Sequence, residues 1–569
     1  MSALCVTIDG KDITVESGAT ILEAARTAGI DIPTLCHHPA LNDIGACRMC
    51  LVEIAGVPAL QPACTYPVAD GMVVQTESER SVQMRKFVLE MLFSERNHYC
   101  MFCEMSGDCE LQAQAYRHGL AHWTYPTPNP RLPVDASRRF FLMDHNRCIL
   151  CRRCIRACSD VVGNHTLGVM ARGAHTMVTA DMDQPFGDST CVSCGTCLQV
   201  CPTGALVDRR SAYMGRHADV QTTESACAFC SVGCAITVVT RNGRPLRVEG
   251  GFDGPNAGVL CARGRFECLE GRERVAQPMV RRNGELTPAT WDEATTRVAD
   301  AFRAARPGAV HAWMTAVALT ETMDAMADAF RNRLGAEVSL LSRPPEGPLP
   351  NGGALADIDA ADRILVVGGD LRETHPVVAY RIQRAADHDA AITLVADGPS
   401  SFSAMAHEAF PMARLNDACK ECQDAARPVI VYSADLPPEA RQALSGLSTG
   451  ARLIPLHSAA NMPNALTLGL GGAAAWEECD LLYVLLQDGV LTEEQRERAR
   501  SAAFVVLHAA YRGPDDDLAS VLLPAPLWHE RAGTFAAMDG RRAVVKPSTR
   551  RPESVWPEAA VFEGLAARV

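Results

Sequence analysis

The stretch Cys148-Ile-Leu-Cys151-Arg-Arg-Cys154-Ile-Arg-Ala-Cys158 and its echo Cys191-Val-Ser-Cys194-Gly-Thr-Cys197-Leu-Gln-Val-Cys201-Pro202 decide how this chain is read. Each has the spacing C-x2-C-x2-C-x3-C. Thiolate runs of that spacing hold [4Fe–4S] clusters in pairs, and the fourth cysteine of each run ligates the other cluster. The spacing therefore assigns Cys148, Cys151, Cys154 and Cys201 to one cluster and Cys158, Cys191, Cys194 and Cys197 to the other. Ser159 stands where proline commonly follows such a run, which alters the local turn. Zinc, a tetrahedral ion served by short paired ligands, fits the doubled run poorly.

Three further groups carry the same chemistry. Cys36, Cys47, Cys50 and Cys64 are spaced C-x10-C-x2-C-x13-C, which reads as a [2Fe–2S] wrapper; its C-x2-C piece taken alone also allows structural zinc. Gly45 and Ala46 keep that loop slim where peptide N–H groups could reach sulfur. In His98-x-Cys100-x2-Cys103-x5-Cys109, three thiolates need a fourth ligand for a [4Fe–4S] site, and His98 is the nearest candidate. Cys227-x2-Cys230-x3-Cys234-x26-Cys261 predicts another [4Fe–4S] site, again with zinc as the alternative.

Together these are nineteen cysteines and one histidine, enough for one [2Fe–2S] and four [4Fe–4S] clusters. Full ligand sets close the iron to substrate, so several of them imply conduction rather than catalysis. Cys5, Cys268, Cys419, Cys422 and Cys479 are left over. Cys5 is expected to pack in the core from a strand, and Cys419-x2-Cys422 to be incidental.

Of the 24 cysteines, 21 precede residue 270, so the chain is chemically two-part. The opening MSALCVTIDG has no basic segment followed by an apolar run, so a cytoplasmic chain is expected, where thiols stay reduced and serve metals. A net charge of -13 argues against nucleic-acid partners.

Local patterns supply the elements. Residues 4–15 alternate around Asp9-Gly10 as a hairpin, and a helix over 20–28 buries Ile21, Ala24, Ala25 and Ala28; hairpin then helix suggests a β-grasp. A second helix from Ser81 to Arg96 presents Val82, Phe87, Val88, Met91 and Leu92. Residues 125–133 are a Pro-rich linker, and strands are expected at 235–240 and 246–249. After about residue 275, Ala-rich helical stretches alternate with apolar runs at 364–367, 392–395, 429–432, 481–485 and 504–507, the sign of an α/β domain with a parallel sheet.

The four groups, in this order, resemble the large iron–sulfur subunit of NADH:quinone oxidoreductase (complex I) and its relatives in NAD-dependent formate dehydrogenases and NAD(P)-linked hydrogenases. Trp291-Asp-Glu-Ala294, Arg372-Glu-Thr-His-Pro376 and the Leu523-Pro524, Glu530, Gly533-Thr534-Phe535 and Gly540-Arg541 set are similar to segments of a molybdopterin-oxidoreductase domain. The resemblance implies a multidomain α+β and α/β chain. Its parts are a β-grasp [2Fe–2S] ferredoxin-like domain over 1–80, a His/Cys3 [4Fe–4S] segment over 81–124 and a bacterial two-cluster ferredoxin domain over 138–212. A [4Fe–4S] β module over 220–276 and a truncated molybdopterin-oxidoreductase-like α/β domain over 277–569 follow.

Two departures stand out. Complex I has three residues between the histidine and the first cysteine of the second group, whereas only Tyr99 intervenes here; another ligand, or a cluster with one iron fewer, is the alternative. After Cys261 no Cys-His pair is present to bind molybdenum or tungsten, so no pterin and no catalytic residue are expected, and Arg263 is left to pair with acidic neighbours or sulfur. No G-x-G-x-x-G fingerprint is present, and Gly469, Gly471 and Gly472 do not form one.

By resemblance the chain relays electrons between an NAD(P)H-oxidising FMN flavoprotein subunit and a terminal hydrogenase, formate dehydrogenase or quinone-reducing module. A small [2Fe–2S] subunit accompanies it, in the cytoplasm or at the inner face of the membrane through those partners. The rival readings are a molybdenum or tungsten formate dehydrogenase catalytic subunit and a zinc-rich scaffold.

Overall fold

Asp9 (φ 48°) and Gly10 (φ 79°) both take the left-handed conformation that a two-residue hairpin turn demands, and they join strand β1 (Ala3–Ile8) to β2 (Lys11–Glu16). The computed structural model describes residues 3–128, 130–345, 349, 352–422, 425–446, 450–472 and 478–569. These form two units, Met1–Val220 and Gln221–Val569.

In the first unit the hairpin joins Leu51–Ile54 (β3), Gln61–Pro62 (β4) and Met72–Gln75 (β5) in a sheet of order β2-β1-β5-β3-β4. Helix α1 (Ile21–Thr27) starts from a Thr20/Glu23 capping box and buries Ile21, Leu22, Ala24 and Ala25 beneath that sheet's apolar face. Cys5 is exposed, against expectation: Val6 and Ile8 take the inward face, and period-2 alternation turns Cys5 outward.

Helix α2 (Glu79–Glu95) begins at a Ser78 cap, and its inward row is Ser81, Arg85, Leu89 and Phe93 rather than the apolar residues the sequence suggests. Phe87 is exposed. The cause is Arg85, fully buried, which donates to the carbonyls of Met49 (3.1 Å), Leu51 (3.0 Å) and Thr76 (2.6 Å) and to Glu77 (2.9 Å). A charged residue on the core side disguises the helical period.

No regular element lies between the short helix α3 (Glu110–Arg117) and Val134, in keeping with a linker over 125–133, of which Asn129 is outside the described residues. The cysteine-rich segment that follows has two short helices, α4 (Arg153–Arg156) and α5 (Thr196–Val200), each opening inside its own cysteine run.

In the second unit, Gln221–Ala226, Ala235–Arg241 and Arg244–Gly250 form a three-stranded antiparallel sheet, one strand more than the sequence suggests. The apolar runs beyond residue 275 all become strands, but they divide between two sheets instead of one. Leu481–Gln487 and Phe504–Ala509 sit in an eight-stranded sheet, parallel except at its Met279–Arg282 and Glu285–Pro288 edge. Arg363–Val367, Ala391–Val395 and Pro428–Ser433 sit in a five-stranded parallel sheet. In chain order that sheet runs 3-2-1-4-5, the doubly wound arrangement. Among the described residues no helix is long and apolar enough to cross a membrane.

Candidate metal centres

All 24 cysteines are free thiols, and the nineteen in the four groups are all buried or half-buried. In the first group the sulfurs are mutual hydrogen-bonding neighbours. The Cys36 N–H points to Cys47 Sγ (3.4 Å) and the Cys47 N–H to Cys36 Sγ (3.5 Å). S–H donation from Cys47 and Cys64 holds the Cys36 thiol far below its ordinary value, and donation from Cys64 lowers Cys50; the donors are pushed up in return. The Ala46 N–H also reaches Cys36, as a slim loop allows. Gly45 (φ 60°) and Arg48 (φ 62°) supply the left-handed turns that wrap the loop back on itself.

His98, Cys100, Cys103 and Cys109 line one cavity, together with Phe93, Leu111, Arg147, Thr203 and Gly204. The ring of His98 hydrogen-bonds the backbone of Leu92, and its Nε2 is buried without any partner. Burial pushes His98 down to about 4, so the imidazole is neutral at neutral pH and keeps a lone pair free for a metal. The single residue Tyr99 between His98 and Cys100 does not prevent the imidazole from reaching the three thiols' cavity. Gly204 closes one wall: a Cβ there would lie 2.6 Å from Cys103 Sγ.

The doubled run is built twice on one plan. Leu150 (φ 54°) and Ser193 (φ 54°) each take a left-handed turn two residues after the first cysteine, and their N–H groups point back to Cys148 Sγ and Cys191 Sγ, both at 3.4 Å. Arg152 (φ 58°) and Gly195 (φ 69°) repeat the turn two residues later and open α4 and α5. The charges that act on Cys154 come first from Cys151, Cys148 and Cys201, and those on Cys197 first from Cys194, Cys191 and Cys158. The eight thiols are thus electrostatic neighbours of one another, with Cys201 and Cys197 acting across the two runs.

The fourth group encloses Cys227 and Cys234 in the core, with the Cys227 N–H donated to the Cys234 carbonyl (2.9 Å). Gly264 donates its N–H to Cys261 Sγ (3.4 Å) and leaves room beside Cys227 that a Cβ would fill. Arg263 is exposed, and its charge acts on Cys230 and on buried His375. Arg265, which sequence reasoning passed over, is the buried one, and it donates to the carbonyls of Val248 and Gly258.

Burial raises the Cys148 thiol to about 11 and Cys151 to about 12, with the neighbouring sulfurs adding to the effect. Two thiols buried in this way do not ionise side by side in a dry pocket unless a cation lies among them. Among the described residues, no three or more His, Cys, Asp or Glu side chains close on a point the size of a single ion.

Three groups meet at one place. Cys36 and Cys151 belong to an apolar cluster with Leu35, Met49, Leu89 and Phe93, and Cys47, Cys100 and Cys109 pack against it. Of the leftovers, Cys419, Cys422 and Cys479 are buried packing residues. The buried arginines Arg153 and Arg156 escaped sequence reasoning. The signal available was their position inside a cysteine run that has to be buried.

The chain is similar in sequence to five described domains in succession. Residues 2–79 match a 2Fe-2S iron-sulfur cluster binding domain, and 85–123 the NADH-ubiquinone oxidoreductase-G iron-sulfur binding region. Residues 140–207 match the ferredoxin-like domain of NADH-quinone oxidoreductase subunit 3, 220–268 the molybdopterin oxidoreductase Fe4S4 domain, and 274–553 molybdopterin oxidoreductase. Among curated relatives, an NADH-quinone oxidoreductase subunit of Rhizobium meliloti is 36% identical over 399 residues, covering 67% of this chain and 46% of that one. NADPH-Fe(3+) oxidoreductase subunit alpha of Geobacter sulfurreducens is 35% identical with the same coverage. The mitochondrial NADH-ubiquinone oxidoreductase 78 kDa subunit of Neurospora crassa is 28% identical over 611 positions, 99% of this chain and 81% of that one. The chain spans about half the length of the first two relatives.

Proposed function

Because the chain belongs to the family of large iron–sulfur subunits of NADH:quinone oxidoreductase and its relatives, we propose that it is a multi-cluster electron relay between an NAD(P)H-oxidising flavoprotein and a second redox module. The observation that carries this reading is the apolar cluster on which cysteines of three ligand groups converge. Ligand loops packed side by side put their metal centres in series.

Cys36, Cys47, Cys50 and Cys64 hold a [2Fe–2S] cluster in this reading. His98 with Cys100, Cys103 and Cys109, the two crossed sets, and Cys227, Cys230, Cys234 and Cys261 hold four [4Fe–4S] clusters. The clusters supply one-electron exchange. The protein's part is to close the iron, exclude water and fix each loop: buried thiols, left-handed turns aiming N–H groups at sulfur, and a neutral His98. The hydride donor and its FMN lie on another subunit, as does the small [2Fe–2S] protein that feeds this one, and the terminal module is a hydrogenase, a formate dehydrogenase or a quinone-reducing arm.

In the molybdopterin-type region the residues do not fit a pterin-bound metal. No Cys-His pair follows Cys261, and the buried His375 uses its Nε2 with Ser231 Oγ (3.1 Å) and the His457 carbonyl (3.0 Å). That region serves as scaffold and docking body. The test is to purify the chain with its natural partners, identify the flavoprotein, and add NADH or NADPH anaerobically. Bleaching of iron–sulfur absorption without molybdenum or tungsten is expected. Stoichiometric molybdenum or tungsten with formate oxidation by the isolated chain would overturn the relay reading.

A further inference from the structure

Helix α4 carries two arginines between Cys151 and Cys158, and both are buried, Arg153 to 3% and Arg156 to 7% exposure. Each leaves its own run to grip another ligand loop. Arg156 donates through Nη2 to the carbonyl of Cys36 (2.5 Å) and to that of Cys151 (3.4 Å), and through Nη1 to the carbonyl of Asn42. One guanidinium thus ties the backbone of a first-group cysteine to that of a third-group cysteine far away in the chain. Arg153 forms a two-pronged pair with Glu110 (2.6 and 2.8 Å), the residue after Cys109, and donates to the carbonyl of Val200 (3.3 Å), the residue before Cys201. Its Nε–H is buried with no partner, and its charge interacts with Cys151 and Cys201.

Resting on the relay reading above, we propose that Arg153 and Arg156 are positioning and potential-setting residues of the electron path. Arg156 locks the [2Fe–2S] loop onto the cluster of Cys148, Cys151, Cys154 and Cys201. Arg153 locks the His98 site onto the same cluster and turns a free N–H and a positive charge toward it.

The physical case is one of alternatives. Burying a guanidinium is costly unless all its N–H groups are satisfied and a counter-charge is near. Glu110 neutralises Arg153, yet its Nε–H is buried without a partner while its charge interacts with Cys151 and Cys201. A plain structural cross-link would have used that N–H. A cation at this place favours the reduced, more negative state of a neighbouring cluster, so it raises the potential. Glu110 opposes it with the contrary sign. The carbonyl links of Arg156 fix the separation of two centres, on which transfer rate depends.

The test is EPR-monitored redox titration of the cluster-loaded protein in its complex, for the wild type, R153Q, R153K, E110Q, R156Q and R156K, with stopped-flow reduction alongside. For R153Q, loss of one charge-assisted contact of about 1.4 kcal/mol makes reduction of one [4Fe–4S] centre about tenfold less favourable, a shift of about 59 mV for one electron. E110Q shifts the same centre the opposite way. R156Q slows transfer between the [2Fe–2S] centre and its neighbour about tenfold, and R156K recovers part of it. Shifts of the same sign in R153Q and E110Q, or wild-type potentials and rates throughout, overturn the proposal. If R153Q fails to load clusters, R153K and E110Q decide by potential alone, and an unmoved centre in both overturns it. A wild-type protein without iron–sulfur signals overturns the cluster reading itself, and this proposal with it.

Discussion

Replacing Arg85 by methionine removes a charge and all its donors from the core while keeping an unbranched apolar stem. Arg85 is fully buried, and its guanidinium satisfies the carbonyls of Met49, Leu51 and Thr76, the first two flanking Cys50. Each buried carbonyl left without a donor costs about 1–3 kcal/mol. Three together, less the relief of no longer burying an ion, give a loss of about 3–5 kcal/mol, the range for breaking a buried charged network. In a unit of this size each kcal/mol moves the midpoint by roughly 2–4 °C, so Arg85→Met should melt roughly 10 °C lower. The assay is the visible circular dichroism of the [2Fe–2S] centre on heating, with far-ultraviolet signal as the global probe. Melting within about 2 °C of wild type would refute the reasoning, because the three carbonyls would then have found water or needed no donor.

Three further outcomes follow from the sites. His98→Ala should lose one [4Fe–4S] EPR signal and leave the others, while His98→Cys should restore a cluster of lower potential, since a thiolate adds negative charge where a neutral imidazole stood; an unchanged spectrum in His98→Ala would exclude His98 as a ligand. Gly204→Ala places a methyl 2.6 Å from Cys103 Sγ, so iron content should fall by roughly one cluster with the fold intact by circular dichroism; full iron would show that the wall yields. In the second unit burial pushes His375 and His457 down to about 4 and His508 to about 3. These folded-state values lie below the unfolded value of 6.5, so the fold keeps the rings neutral and the unfolded chain gains the protons. The stabilisation is complete above pH 6.5 and is lost as pH falls toward 4. Melting temperatures measured from pH 7.5 to 4.5 should decline through that window, and a flat or rising series would contradict the sign.

Much of the chemistry is legible in the sequence because metal ligands impose spacing locally. The crossed pairing of the eight thiols is proposed from the C-x2-C-x2-C-x3-C runs, and the folded chain makes thiols of both runs electrostatic neighbours. What stays hidden comes from contacts distant in sequence. The wall that Gly204 lends to the His98 cavity, and the reach of Arg156 from α4 to Cys36, leave no periodic trace. Arg85 misleads in a different way, since a charge on the inward row makes the helix seem to face elsewhere. The apolar runs after residue 275 predict strands correctly but carry no mark of their partners, so their division between two sheets is decided only by tertiary packing. Cys5 shows the cost of reading one residue without its register, because Val6 and Ile8 claim the inner face.

The most direct test of the relay is iron and acid-labile sulfide analysis of the anaerobically purified protein, joined to quantitative EPR of the dithionite-reduced form. One [2Fe–2S] and four [4Fe–4S] centres require about 18 iron atoms per chain, with distinct signals whose magnetic interaction broadens the spectrum because the centres adjoin. A colourless protein, or zinc in place of iron at the four cysteine groups, would contradict the account.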